Sequence, residues 1–436
     1  MNIPYTRQTL DNGLDVLVHE DHGCPIVAVN LWYHVGSKNE TPGRTGFAHL
    51  FEHLMFEGSQ HYDKGYFHPL QEAGALLNGS TNADRTNYWE VVPTNALELA
   101  LWMESDRMGY LLPALTDAKF ANQRDVVLNE RRQNYENRPY GFAGMAIMAA
   151  LYPADHPYQW MTIGAAEDIR AAHIDDVRAF FQTYYRPRNA SLALAGDIET
   201  EQAVELAGRY FGELEGGHEP PPVQVPTVAP FLSERRLVLE DRVELPRLYL
   251  SWHSPAIFAA DDAELDLVAE ILASGKTSRL YRTLVYQERL ATEVAASQSS
   301  RELAGYFQII VTAAPGRTLD ELERAIAVAI DVLANEGPTP QEMERCQAQA
   351  EANFIFRLQT VGGFGGKSDQ LNAYNVFVGD PGFFERDLDR YRRVTPASVQ
   401  RVAREWLQPE SRVLLSVVPR GRSDLALAGS QPVTVS

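Results

Sequence analysis

The chain has 436 residues, of which 45% are apolar and 22% charged, and its formal charge is −19. That length exceeds one ordinary core and suits two domains of a soluble globular protein, while the apolar share is too high for disorder. The acidic excess and the lack of any Lys/Arg cluster argue against nucleic acid as a partner, and no stretch reads as a membrane span.

The N-terminus, "MNIPYTRQTLDNGLDVLV", lacks the basic and then apolar layout of a secretory signal. The chain is therefore expected to be cytoplasmic, or periplasmic if a signal was removed. Just beyond, "QTLDNGLDVLVHED" predicts a hairpin turning on Asn12 and Gly13, followed by the strand "PIVAVNLWYHV". Next comes "GFAHLFEHLMFEG", residues 46–58, whose apolar positions predict a helix.

On that helix His49 and His53 stand at i and i+4, one above the other, so two imidazoles can reach one ion. Glu52 is offset around the helix, where a carboxylate can meet a water on the metal without displacing a ligand. Only two cysteines are present, Cys24 and Cys346, far apart, so a third ligand should be an acid. The segment "LTDAKFANQRDVVLNERRQNYEN", residues 115–137, predicts a helix capped near Thr116 or Asp117 and offers Asp125, Glu130 and Glu136. Spacing alone does not choose among them, nor does it exclude Glu104 and Asp106.

Between these helices, "LLNGSTNADRTNYWEVV" alternates Thr86, Tyr88 and Glu90 against Asn87, Trp89 and Val91, which fits an edge strand after a turn. After a helix, a strand from about Ala190 to Ala195 and a further helix, the run "LEGGHEPPPVQVPTVAPF" carries five prolines and predicts a linker.

The second half repeats the order of elements: two strands around a turn in "RRLVLEDRVELPRLYLSWHSP", the helix "DDAELDLVAEILAS", and a closing helix and strand in "TPASVQRVAREWLQPESRVLLSVVPRG". Its counterpart of the metal helix has no histidine. These observations predict an α+β protein of two homologous domains, 1–213 and 232–436, each an antiparallel-rich sheet packed with helices and joined by the Pro-rich linker 214–231. The Gly-rich run "TVGGFGGKSDQ", residues 360–370, lacks the spacing of a phosphate loop and reads as a flexible loop between helices.

The motif and the duplicated order resemble the pitrilysin-like family of inverted (HxxEH) zincin metallopeptidases, which includes insulin-degrading enzyme and mitochondrial processing peptidase. The resemblance covers nearly the whole chain and is carried by "GRTGFAHLFEHLMFEGS", "NGSTNADRTNYWEVVPTNALELALWMESDRM" and "QRDVVLNERRQNYENRPYG", with a weaker match through the second half. It implies a zinc-dependent endopeptidase in which Zn²⁺ is bound by His49, His53 and Glu130, the last lying 77 residues past His53, with Glu52 as the catalytic base. It also implies peptide contacts from Asn78, Gly79, Ser80 and Thr81.

Three positions depart from the family pattern. Gln123 stands where a further glutamate is common two turns before the third ligand, leaving an uncharged second-shell group. Val285 and Thr292 stand where active members carry an Arg and a Tyr that grip the substrate and stabilise its oxyanion. Arg279, Tyr281, Arg282 and Tyr286 lie nearby in sequence. The resemblance therefore implies a heterodimer, as in the processing peptidase, in which this chain is the zinc-bearing, beta-type half and a homologous second subunit supplies the Arg and Tyr. The alternatives are a non-catalytic scaffold subunit and a self-sufficient homodimeric peptidase.

Overall fold

Two six-stranded sheets share one internal order. The computed structural model describes residues 2–228, 231 and 233–435; Ala229 and Pro230 of the expected linker lie outside the described residues. The first sheet contains β1 (Thr6–Thr9), β2 (Asp15–Glu20), β3 (Ile26–Tyr33), β4 (Leu76–Thr81), β5 (Thr86–Pro93) and β6 (Ala190–Gly196). Its spatial order is β1-β2-β6-β3-β5-β4, antiparallel except for the β2/β6 pair. The second contains β7 (Arg235–Asp241), β8 (Arg247–Ser254), β9 (Ala291–Ser299), β10 (Gly305–Ala313), β11 (Arg412–Pro419) and β12 (Gln431–Pro432). There the order is β12-β7-β11-β8-β10-β9, so β7-β11-β8-β10-β9 repeats β2-β6-β3-β5-β4. The duplicated α+β plan is thus present in the strand pairing itself.

Local chemistry explains the strands. Gly13 takes the left-handed φ of 90° that its turn requires, and the Asn12 side chain accepts from Leu14 N at 3.2 Å, setting the Thr9–Asp15 register. β6 and β11 are compact apolar runs because each is flanked by strands and buried along its length.

Two expectations about pairing need correction. The strands predicted around a turn in 235–255 both form, as β7 and β8, but β11 lies between them. The alternating stretch 86–91 is not a free edge, because β5 is held between β3 and β4; the open edge belongs to β4. Alternation reports which face of a strand is buried, not its rank in the sheet.

The chain forms two compact units, and two segments pack away from their neighbours in sequence. One unit comprises Met1–Arg131, Trp160–Gln224 and Asn353–Arg386; the other comprises Arg132–Gln159, Val225–Ala352 and Asp387–Ser436. In the first, the helix Lys367–Val378 lies over β6, β3 and β2. Its Asp369 accepts hydrogen bonds from Trp32 Nε1 (2.9 Å), Asn87 Nδ2 (3.1 Å) and Asn30 Nδ2 (3.3 Å). In the second, the helix Asp262–Ala273 buries Leu265, Val268, Ile271 and Leu272 in a core shared with β8, β10 and β11. Among the described residues, no helix is long and apolar enough to cross a membrane.

Candidate metal centre

The helix Phe47–Leu54 buries Phe47, Leu50, Phe51 and Leu54 and turns His49, Glu52 and His53 to its other face. Its first turn is fixed from outside the helix. Gly46 has φ 85° and a Cβ there would lie 2.9 Å from the Ile163 carbonyl, so only glycine fits. The buried Glu40 carboxylate accepts from Gly46 N (2.9 Å), Ala48 N (2.8 Å) and Trp160 Nε1 (3.1 Å), satisfying donors that the helix cannot. Asp168 adds bonds to Thr45 N (2.9 Å) and Thr45 Oγ1 (2.7 Å).

Glu40 is thus a cap six residues before Gly46, too far along the chain for a capping pattern to reveal it. Burial pushes its pKa up to about 8, against the opposing pull of its bonds from Ala48, Gly46 and Trp160. The folded chain then keeps a proton that the unfolded chain gives up in the ordinary carboxylate range, so this group makes stability fall as pH rises toward about 8. Glu40→Gln is expected to flatten that part of the curve in urea midpoints measured across this range. An unchanged slope would assign it to other groups.

The helix Asp117–Arg131, whose start is capped by Thr116 (Lys119 N to Thr116 Oγ1, 3.3 Å), packs on the histidine helix and brings Glu130 to it. Glu130 Oε2 lies 3.5 Å from His49 Nε2 and 3.4 Å from His53 Nε2. The two imidazoles stand perpendicular, with centroids 4.8 Å apart. All three ligand atoms fall within 4.8 Å of one another. Zinc–nitrogen and zinc–oxygen bonds of roughly 2.1 Å in a tetrahedron separate neighbouring ligand atoms by about 3.4 Å, so these contacts fit a shared zinc ion better than direct hydrogen bonds.

Protonation suits the same role at His49 but not, without an ion, at His53. Burial, assisted by the neighbouring His53, pushes His49 down to about 4, leaving a neutral imidazole with a lone pair to give. For His53, burial pulls downward, but the facing Glu130 carboxylate and the charge of Glu52 raise it overall. Glu52 is raised by burial, opposed by a hydrogen bond from Thr81 and by the charges of His53 and Arg85. His49 Nδ1 is buried without a partner among the described residues, so packing of the helix fixes that ring.

The other acids are elsewhere. Glu104 is in a buried ion pair with Arg107, Asp106 binds Ser59 and His61, Asp125 is exposed, and Glu136 belongs to the other compact unit. Gln123 hydrogen-bonds Glu57 and His53.

Asn78, Gly79, Ser80 and Thr81 form the open strand β4. Asn82 N donates to Arg85 O at 3.0 Å across the hairpin, so the antiparallel alternation turns the backbone groups of Leu77, Gly79 and Thr81 outward. Gly79 N is covered by the Asn78 side chain at 2.8 Å. A Cβ on Gly79 would lie 2.9 Å from both Phe56 and Tyr88.

In the second unit, Val285 packs against the core and Thr292 Oγ1 donates to Thr312 O at 3.4 Å. Of their neighbours, Arg279 is committed to Glu342 (2.8 Å) and Gly337 O (2.9 Å), Tyr281 packs against the core, and Arg282 and Tyr286 are exposed.

Two imidazoles, a facing carboxylate and a buried acid beside them, on a duplicated α+β frame, define the class: a two-unit α+β protein in which His49, His53 and Glu130 lie close enough together to hold a metal ion. Family models match both halves, "Insulinase (Peptidase family M16)" over residues 15–157 and "Peptidase M16 inactive domain" over residues 172–350. The chain belongs to the pitrilysin-like peptidase family M16.

It is 28% identical to the zinc protease PqqE of Helicobacter pylori, with 92% of this chain and 89% of that protein covered. To an uncharacterized zinc protease, YmxG, of Bacillus subtilis it is 22% identical, with 95% and 98% covered. The structure of a protease from Helicobacter pylori superposes with a TM-score of 0.88 at 25% identity, covering 95% of this chain and 100% of that one. A Pseudomonas fluorescens structure described as a peptidase M16 inactive domain shares the fold, with a TM-score of 0.85 at 18% identity and 99% and 100% coverage.

Proposed function

We propose that this chain is the zinc-bearing subunit of an endopeptidase that hydrolyses peptides or unfolded segments. The observation that carries this reading is the triangle of His49 Nε2, His53 Nε2 and Glu130 Oε2 at ligand-to-ligand distances, with Glu52 beside it. Zinc held there would act as a Lewis acid and make a bound water acidic near neutral pH. Glu52 accepts the proton of the attacking water and returns it to the leaving amine nitrogen. The Thr81 hydroxyl donates to its carboxylate and, with the nearby His53, favours the charged form against the effect of burial.

The substrate adds as a strand to β4 through the outward backbone groups of Leu77, Gly79 and Thr81, and the Asn78 side chain leaves Gly79 N as it does so. Thr81 thus joins the peptide-binding edge to the base.

The missing Arg and Tyr give this subunit a partner. Val285 and Thr292 offer no cation or phenol, and Arg279 is already paired, which supports a homologous second subunit as the source of the oxyanion donors. A quenched peptide is expected to be cleaved slowly by the isolated chain and at least about a hundredfold faster after addition of a homologous subunit carrying the Arg and Tyr. Full activity from the isolated chain would overturn the division of labour in favour of a self-sufficient enzyme.

A further inference from the structure

The Gly-rich run 360–366 is built down onto the first sheet. A Cβ on Gly362 would lie 2.5 Å from Val91 Cγ2 and 2.7 Å from Ala28 Cβ, so the backbone reaches the sheet only because no side chain intervenes. Gly365 N donates to Asp369 at 2.8 Å, and the same carboxylate holds Trp32 and Asn87 of the sheet. What this anchoring leaves uppermost is Phe364, 51% exposed, standing edge-on over Trp89 with centroids 5.5 Å apart.

Trp89 and Val91 are the cross-strand partners of Asn78 and Leu76 on the open strand, and Leu76 is 70% exposed. Successive strand residues point to opposite faces, so Leu76, Asn78, Trp89, Val91 and Phe364 share the face opposite the one from which Thr81 holds Glu52. Of the polar groups along that face, Asn87 and Asp369 are already paired, Asn78 Oδ1 accepts from Gly79 N, and Trp89 Nε1 is buried without a hydrogen-bond partner among the described residues.

We infer that Leu76, Trp89 and Phe364 form a specificity subsite for apolar side chains of the bound peptide, at positions alternating with those that face the histidine helix. This rests on the reading of β4 as the peptide-binding edge. An added strand must place every second side chain on this face. An apolar side chain there covers Leu76 and the open flank of Phe364, whereas a charged one loses water and meets neutral side chains only. The Gly-rich loop is therefore a fixed wall of the substrate groove, contributed by residues far along the chain.

Full-length Glu52→Gln protein loaded with zinc, which holds peptide without cutting it, provides the test. Fluorescence anisotropy compares two labelled extended peptides, one with phenylalanine at alternate positions and the other with aspartate there. Phe364→Ala is expected to weaken the phenylalanine peptide about tenfold and leave the weaker aspartate peptide unchanged. Leu77→Pro, which removes an outward backbone donor of β4, is expected to weaken both. Binding that Leu77→Pro abolishes but Phe364→Ala leaves intact would overturn the subsite and spare the edge. Binding indifferent to Leu77→Pro, or no binding at all, would remove the edge reading and the subsite with it.

Discussion

Glu52→Gln is expected to lower turnover by roughly 10²- to 10⁴-fold, the range for removing a positioned acid–base group. Zinc content should be unchanged, because the groups close enough together to hold an ion are His49, His53 and Glu130, and Glu52 is not among them. The folded protein should not lose stability either, since burial already works against the Glu52 charge and an amide avoids that cost. Single-turnover assays, metal analysis and thermal melts on one preparation separate these effects. Retained turnover would take Glu52 out of the mechanism, and lost zinc would make it a ligand.

Removing the third corner of the triangle should act on the metal first. Glu130→Ala leaves two imidazoles on one helix and is expected to weaken zinc by more than the roughly 10- to 100-fold typical of losing an outer-shell partner. Gln123→Ala, which removes such a partner of His53, should stay within that range. Chelator competition measures both on one scale. Equal losses, or wild-type affinity in Glu130→Ala, would mean that another acid completes the centre.

The histidine helix was legible because its information is local: a repeat of four residues on one apolar helix fixes which groups share a face. Glu130 was not legible in that way. Asp125, Glu136, Glu104 and Asp106 were equal candidates by spacing, and only the packing of Asp117–Arg131 on the histidine helix separates them. The strands were legible as strands, but sheet order is a property of distant pairs. Nothing within 235–255 announces that β11 will enter between β7 and β8, and nothing in 86–91 shows that β4 takes the outer place. Glu40 and Asp168 reach the start of the histidine helix through the fold, without a recognisable cap sequence. Of the glycines in 362–366, Gly363 and Gly365 take a left-handed φ, while two others serve close approach, Gly362 to Val91 and Ala28 and Gly366 to the Gly362 carbonyl, which only the fold reveals.

The place of Asp369 bears on how the protein is made. A ribosome releases the histidine helix, Glu130 and all six strands of the first sheet well before the segment that supplies Asp369 and the Lys367–Val378 helix. Until then Trp32, Asn87 and Asn30 lack their carboxylate acceptor, and β6, β3 and β2 lack the helix that covers them. The sheet beside the histidine helix is translated first yet completed only when the helix Lys367–Val378 emerges, and nascent chains must keep that uncovered sheet face from other partners in the interval.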